Sequence, residues 1–303
     1  MTSPRYVAET LADLPAPAFV EVLSWQTISG QMQSEIQALS GNAYYWLPSD
    51  PAVKALDIAA DHEVKVRQRI NEVGLAGMIA HARASDLDHL GATFYNTRRL
   101  IVDDTDPKNI ITETDTAYRR RIELSMEAQN TAGAEGSYEY HALSSSGLVK
   151  DARAYSPAPA DAVLYILSQE DSSGIPSPAL LQAVETYVSA KLLRPAGDRL
   201  TVQAAEIVRY SLTATFYFYH GTVQSAALAA AEAGFTAYRT KAEHIGHGAT
   251  ESGVHQALHQ PGVYRVDLQP TINGIAVNWP IADGEFQVAI CDSHTFSVGG
   301  VAQ

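Results

Sequence analysis

Four histidines in the carboxyl-terminal third offer the most suggestive chemistry of the chain: His244, His247, His255 and His259. Imidazoles four residues apart share a helix face and can bind zinc, so His255 and His259 form a candidate pair. The nearest carboxylates, Glu243 and Glu251, follow no signature order, and closed zinc sites usually recruit cysteine. A metal-dependent hydrolase built on these histidines is kept as the alternative function, while a polar loop and a solvent-facing helix are the simpler interpretation.

Other motifs of catalysis or cofactor binding are missing from the sequence. It contains no Gly-x-Ser-x-Gly elbow, no phosphate-binding loop, no Gly-x-Gly-x-x-Gly fingerprint and no His-Glu-x-x-His pair. Cys291, the single cysteine, lies in a strand-rich tail and is interpreted as a buried thiol. Carboxylates are abundant, but no spacing singles out a pair. The sequence therefore predicts no catalytic residue, no cofactor and no metal site.

Basic residues form two short clusters in an acidic chain, Arg98–Arg99 and Arg119–Arg121. Arginines on a helix surface usually pair with neighbouring acidic side chains, and this is the favoured interpretation. The alternative is that Arg119 and Arg120 dock onto an acidic partner.

The composition is that of a folded, acidic protein. The chain has 303 residues, of which 46% are hydrophobic, and a formal net charge of −13. Nucleic-acid binding needs a surplus of lysine and arginine, so this class is excluded. A single cysteine excludes a disulfide framework. No apolar run reaches the ~18 residues that span a bilayer, and Met1–Thr10 shows no secretion signal, so we expect synthesis in the cytoplasm without membrane insertion.

A long amphipathic helix is predicted from about Pro51 to His81. Apolar residues recur along it every three or four positions, and the first of them define one face: Val53, Leu56, Ala60 and Val64. Gly74 and Gly77 disfavour a helix, so either the helix breaks there or another segment packs closely. Helices of this length exceed the usual size in compact domains, and these six residues are therefore candidates for contact with a partner.

A second candidate contact surface lies on the strand predicted over Val208–Tyr219. Its residues alternate with period two, so Tyr217 and Tyr219 share the wetter face and are candidates for a protein contact. The tail is predicted as separate short strands around Ile275–Val277, Phe286–Ile290 and His294–Val298.

These elements predict an α+β, multidomain chain. A mainly helical amino-terminal region is expected over residues 1–110, a small α+β linker domain over 111–160, and mixed α/β domains with antiparallel or mixed sheets over 161–303. In the first region, Gly91 is expected to end a short helix that begins near Asp86. The continuous apolar run Val163–Leu167 predicts a buried strand.

A series of short segments keeps a characteristic order and spacing: Leu14–Pro17, Arg69–Glu72, Asp86–Gly91, Asn96–Leu100, Thr114–Ile122, Ala132–His141, Tyr155–Pro159, Leu193–Val202 and Gly262–Val266. Together these segments resemble the baseplate J-like family of contractile-tailed phages, from about residue 14 to residue 268. The tail after Leu268 and the histidines His244, His247 and His255 depart from the family pattern.

This resemblance implies a structural wedge protein without catalysis. Members of the family ring the central hub in sixfold arrangement, contribute helices to an inter-subunit bundle and make ring contacts through small α/β domains. The implied partners are a second copy of the chain, other wedge proteins and the sheath-initiator protein, with the hub contacted indirectly. The implied location is the tail baseplate of the virion, with the host cytoplasm as the place of assembly.

The implied mechanism is conformational and couples fibre attachment to sheath contraction. A closed ring and a widened ring are both stable, and fibre attachment biases the equilibrium between them. Two segments are hypothesised to be hinge-like, Gly74–Gly91 and Ser172–Pro178. A bulky residue at Gly77 is then expected to block assembly without unfolding the chain.

Overall fold

The computed structural model describes residues 14–41, 45–129, 134–190, 193 and 197–301. The chain divides into two compact units: one comprises Ala8–Arg98, and the other contains Arg99–Gln303. The first unit is helical and the second combines helices with small sheets, so the predicted α+β class is confirmed. The segment Met1–Thr10 lies outside the described residues. No described helix is long and apolar enough to cross a membrane.

The unit Ala8–Arg98 contains three described helices: α1 (Trp25–Ser40), α2 (Pro51–Ala76) and α3 (Ala84–Phe94). The Asp50 side chain caps α2 by accepting a hydrogen bond from the amide of Ala52, and Pro51 occupies the first turn. The sequence predicts a cap at Ser49 or Asp50 followed by Pro51, because a short polar side chain and a proline suit the start of a helix, and the structure selects Asp50. The 26 residues of α2 extend about 39 Å at 1.5 Å per residue.

Two helix boundaries in this unit differ from the predicted ones. Helix α2 ends at Ala76 rather than near His81, because the backbone amide of Gly77 donates a hydrogen bond to the carbonyl oxygen of Leu75 and a turn follows. Helix α3 runs through Gly91 to Phe94, so Gly91 does not end it. Gly91 is buried inside the helix.

The second unit begins with a two-stranded ribbon and then builds a three-stranded sheet. The ribbon, β1 (Ile101–Asp103) and β2 (Ile111–Thr112), precedes α4 (Asp115–Leu124), a 3₁₀ turn (Glu127–Gln129) and α5 (Glu135–Ser145). The sheet has the order β3 (Val149–Tyr155), β4 (Asp161–Ser168), β5 (Arg199–Ala204). Strand β3 is antiparallel to β4, whereas β5 is parallel to β4 and reached through helix α6 (Pro178–Val188). Helices α5 and α6 pack on this sheet and form its core with Leu164 and Ile166.

A four-stranded sheet completes the second unit, in the order β8 (Ile275–Ala276), β7 (Val263–Ile272), β6 (Glu206–Phe218), β9 (Gln287–Val301). Helices α7 (Gln224–Ala242) and α8 (Glu251–Leu258) cover one face. Leu212, Phe216 and Phe218 of β6 point into this core together with Phe235 of α7. The alternation predicted for β6 is thereby confirmed, since its buried residues occur at every second position.

The tail differs from its prediction as separate short strands. The segments predicted around residues 286–290 and 294–298 belong to one 15-residue strand, β9, which pairs in parallel with β6 along its whole length. Register shifts leave Asp292 and Gly299 without a partner on β6, so each forms a bulge. These bulges interrupt the alternation of side chains, so the sequence pattern predicts two short strands where the structure has one long strand.

Candidate functional site

The four histidines do not converge on one site. His244 Nδ1 lies 3.2 Å from Asp151 Oδ2, His255 Nε2 lies 3.8 Å from Glu251, and His259 follows α8 as its C-cap. The rings of His244 and His247 are 6.2 Å apart. Within the described ranges, no three side chains among His, Cys, Asp and Glu are placed to hold a metal ion. The zinc site required by the hydrolase alternative therefore has no geometric support there.

Cys291 has the environment of a structural thiol. Its side chain is buried beside Tyr210, and the sulfur donates a hydrogen bond to the carbonyl oxygen of Ser293 at 3.3 Å. Burial raises the pKa of Cys291 to about 11. Because the thiolate is the nucleophilic form, a thiol that stays protonated at neutral pH is unsuited to catalysis.

Asp151 on β3 carries a fully buried carboxylate. It accepts hydrogen bonds from Arg120 Nη2 at 2.6 Å and from the amide of Ile245 at 2.9 Å, and His244 lies beside it. Burial opposes the charge of Arg120, but the charge and the hydrogen bond of Asp151, together with the charges of Glu139 and Glu123, outweigh burial and raise the pKa of Arg120. One carboxylate thus joins α4, β3 and the segment that follows α7.

Neighbouring residues of β3 extend this contact into a row of ion pairs. Lys150 pairs with Glu243 at 3.2 Å, and Arg153 pairs with Glu285 at 3.0 Å. We call Lys150, Asp151 and Arg153, with their partners, the β3 ionic strip. The pairs of Lys150 and Arg153 join the three-stranded sheet to segments around the four-stranded sheet, and Asp151 does so through His244 and Ile245. The Arg120–Asp151 pair joins α4 to β3.

Apolar contacts reinforce the same junction between the two sheets. Leu167 of β4 shares a buried cluster with Ile245 and with Val288 of β9. Tyr165 of β4 stacks on Phe286, with ring centroids 4.1 Å apart. Charged and apolar contacts therefore hold the two sheets together as one body.

The arginine cluster of α4 is used inside the chain. Arg121 pairs with Glu113, and both side chains are buried. Arg119 is buried as well, and Arg120 is bonded to Asp151. The predicted ion pairing is found, but its predicted place on the helix surface is wrong, because the acidic partners come from outside α4. Docking of Arg119 and Arg120 onto an acidic partner therefore gains no support from their exposure.

The predicted contact face of α2 packs against other residues of the unit Ala8–Arg98. Val53 and Ala60 are buried, and Leu56 and Val64 are half-buried. Asp57, on the same side of the helix, accepts a hydrogen bond from Ser29 of α1 at 2.7 Å. Helix α1 therefore packs along this face, which makes it an internal contact of the chain.

A different set of apolar side chains on α2 remains exposed. Ile58, Val66, Ile70 and Val73 are each 61–63% exposed. Successive residues of this set lie eight, four and three positions apart, so they follow one side of the helix, away from Val53 and Ala60. We call these four residues the outer stripe of α2.

Close packing explains Gly74, but not Gly77. A Cβ atom at Gly74 would lie 2.3 Å from the ring of Phe19, whereas at Gly77 the nearest atom would be 3.7 Å away. Asn71, one turn earlier, fixes the same lead-in segment by accepting from the amide of Glu21 and donating to its carbonyl oxygen. The prediction that another segment packs near these glycines therefore holds at Gly74, and the helix break occurs at Gly77.

The two candidate tyrosines of β6 differ in exposure. Tyr219 is 54% exposed and its ring meets that of Tyr264 edge-on, with centroids 5.4 Å apart. Tyr217 is half-buried beneath the guanidinium of Arg265, which lies 4.2 Å from the ring centroid. Tyr219 and Tyr264 thus present exposed aromatic surface beside the end of β6.

Two structural residues escape recognition in the sequence. Asp151 lies in β3 between two other charged residues, Lys150 and Arg153, so the local sequence does not indicate that it is buried. Asn71 is a buried polar residue in an amphipathic helix, but its partner lies 50 residues away. Such partners cannot be inferred from local spacing.

Comparison with known proteins places these features in a family context. Residues 48–106 match the profile described as the baseplate J-like N-terminal domain, and residues 130–204 match the baseplate J-like central domain. Baseplate protein J of Escherichia phage P2 is 35% identical over 302 aligned residues, which cover 96% of this chain and 97% of that protein.

One solved structure shows a more distant likeness. A chain in the cryo-EM structure of the anti-feeding prophage baseplate, 6-fold symmetrised, aligns with a TM-score of 0.41 at 15% identity. The alignment covers 59% of this chain and spans 42% of that one, which is less than half its length.

Proposed function

The chain belongs to the baseplate J-like family, and from that premise we propose that it is a structural wedge subunit in the baseplate of a contractile tail or a related contractile injection machine. The observation that carries this proposal is the 35% identity to a phage baseplate protein over nearly the full length of both chains. Similarity of this extent covers both compact units and not a single shared module.

A role without catalysis agrees with the side-chain chemistry of the described residues. Cys291 is buried with a raised pKa, and the histidines of the candidate zinc site lie apart. The strongest charge cluster, around Asp151, joins parts of the chain to one another. The charged groups of this cluster bond to one another and stabilise the fold, so they favour a structural role over a catalytic one.

The proposed partners are those of a wedge: a second copy of the chain, other wedge proteins and the sheath initiator, with the hub contacted indirectly. The proposed location is the tail baseplate of the virion, after assembly in the host cytoplasm. The proposed domains are residues 1–110 for helical contacts, 111–160 as a linker and 161–303 for ring contacts.

The outer stripe of α2 is the surface we assign to helical contact with a neighbouring subunit. Four apolar side chains along one side of a 26-residue helix favour packing against another amphipathic helix. This assignment replaces Val53, Leu56, Ala60 and Val64, which α1 already covers. Tyr219 and Tyr264 form a second, smaller contact surface on the four-stranded sheet.

The proposed mechanism is a change of ring diameter that links fibre attachment to sheath contraction. A hinge at Ser172–Pro178 is disfavoured, because Arg209 donates hydrogen bonds to the carbonyl oxygens of Ser172 and Ser173, and Glu170 accepts from Ser177. The segment Gly74–Gly91 keeps its place as the proposed hinge, since α2 ends within it.

Co-expression tests the proposal directly. The chain is produced alone and together with the wedge and sheath-initiator candidates of its own genome, and each sample is analysed by light scattering after size exclusion. A discrete heteromeric complex is the expected result. A monomer that binds none of the candidates would contradict the wedge proposal and would justify a zinc assay on the purified chain.

A further inference from the structure

Strand β9 leaves one edge of the four-stranded sheet open. Its neighbour in the sheet is β6, and no other described strand pairs with it on the opposite side. A single β-bridge, from His247 to Val288, covers the beginning of the strand. Beyond that point, the outward backbone amides and carbonyls form a template that accepts a further strand.

The two bulges define how much of this edge is regular. They lie at Asp292 and Gly299, so Ser293–Val298 forms an uninterrupted stretch, which we call the open edge. Six residues extend about 20 Å, the length of an average strand. A partner strand of this length would find its register fixed at both ends.

Between its two bulges, the open edge lacks the residue types that usually keep edge strands from pairing. It contains no proline, lysine or arginine, and Val298 at its end is 46% exposed. By contrast, the opposite edge of the sheet is β8, which has only two residues. Long neutral edges with exposed apolar side chains are sites where another chain adds a strand.

We propose that the open edge pairs with the open edge of a second copy of this chain, antiparallel and centred on Phe296. This inference deepens the self-contact of the proposed function and depends on it for its biological setting. The register places Phe296 opposite its counterpart, Thr295 opposite Ser297 and His294 opposite Val298. The two four-stranded sheets then become one continuous sheet of eight strands.

Self-pairing suits the side chains of this stretch. His294, Phe296 and Val298 lie opposite the inward residues of β6, so they face the helices, whereas Ser293, Thr295 and Ser297 lie on the outer face. In the proposed register, hydroxyl side chains meet hydroxyl side chains, and aromatic meets aromatic, both of which are favourable cross-strand pairs. Asp292, the nearest acidic residue of the strand, falls opposite Gly300, so no like charges oppose each other.

A matched pair of lysine substitutions tests the contact on the full-length chain. Val298→Lys places a charge inside the proposed junction, and Val301→Lys places it beyond the second bulge at nearly equal exposure, 46% against 45%. We expect the unaltered chain and Val301→Lys to scatter with the mass of two 32.7-kDa chains, and Val298→Lys with that of one. Equal dimerisation of both variants would overturn the proposal.

Mixed cysteine cross-linking then tests the register. Thr295→Cys and Ser297→Cys are oxidised separately and as a mixture, and only the mixture should give a linked dimer, because these positions face each other. The native Cys291 is buried and should not react. The same oxidation is repeated in the co-expressed complex, so that loss of wedge binding is distinguished from loss of self-pairing. Absence of the mixed dimer in both samples, or linkage of the open edge to a different protein, would overturn the proposal.

Discussion

A buried carboxylate such as that of Asp151 is stable only while its partners remain in place. Isolating a charge inside a protein costs several kcal/mol, and the ion pair offsets this cost only through close geometry and further hydrogen bonds. Asp151 meets both conditions, because a guanidinium and two backbone amides contact its oxygens. Asp151 and the groups that bond to it therefore stabilise the fold only while all of them remain in place.

Asp151→Asn tests this dependence. The variant leaves Arg120 without its charged partner in a largely buried position, so we expect the second unit to lose about 3 kcal/mol of unfolding free energy. Asp61→Asn, which removes an exposed pair with Lys65 on α2, is the control and should have little effect. Urea denaturation followed by circular dichroism measures both. Equal stability of the two variants would contradict the role assigned to Asp151.

The buried imidazole of His141 should make the free energy of unfolding depend on pH. Burial lowers the pKa of His141 below its ordinary value of 6.5, and Nδ1 has no hydrogen-bond partner. Below pH 6.5, His141 becomes protonated in the unfolded chain but stays neutral in the folded chain. Its contribution to the free energy of unfolding therefore falls as the pH falls. We expect His141→Phe to remove this part of the slope, at most about 1.4 kcal/mol per pH unit.

Denaturation at pH 7.5, 6.5 and 5.5 measures that slope. His141→Gln, which keeps a polar side chain but does not titrate, is the control and should flatten the slope as well. If both variants lose stability with acid as steeply as the unaltered chain, other groups are responsible.

At the scale of elements, the fit between α2 and the lead-in segment depends on one missing side chain. A Cβ atom at Gly74 would overlap the ring of Phe19, which must then move. Overpacking of this kind costs about 1–3 kcal/mol. We expect Gly74→Ala to loosen the lead-in, so that the amide of Glu21, which bonds to Asn71, exchanges faster with deuterium.

Gly77→Ala is the matched control for this prediction. The site has room for a methyl group and an ordinary helical φ of −77°, so exchange at Glu21 should stay unchanged. Combining Gly74→Ala with Phe19→Ala should restore slow exchange if the two residues interact directly. An unaltered exchange rate in Gly74→Ala would show that the ring moves aside without cost.

Elements with local signals are the ones that the sequence predicts correctly. The cap of α2 and the alternation in β6 both depend on neighbouring residues, and the structure contains both. The long pairing of β9 with β6 and the face of α2 that α1 covers depend on distant residues. Periodicity shows that α2 has an apolar face, but it cannot show which partner covers that face.

At the scale of the whole molecule, the β3 ionic strip and the apolar cluster beside it constrain where motion can occur. They hold the three-stranded and four-stranded sheets together through the buried carboxylate of Asp151, which bonds to Ile245, through the Arg153–Glu285 pair, and through packed side chains. Separating the sheets would expose both, which is costly. We therefore expect a change of ring diameter to arise between subunits, and not between these two sheets.

If the outer stripe of α2 contacts a neighbouring subunit, a charged substitution in it should block assembly without affecting folding. Ile70 is 63% exposed, so Ile70→Lys should leave the helix content and the unfolding temperature unchanged. A lysine there would bury an unpaired charge in a helical contact, which strongly disfavours binding. Ile275→Lys, at an apolar residue on β8 that is 71% exposed, is the control and should assemble normally. Co-purification with the wedge candidates measures the assembly of both variants. A complex that retains Ile70→Lys at full yield would show that the outer stripe faces solvent in the assembled particle. The helical contact would then have to form on another surface of the unit Ala8–Arg98.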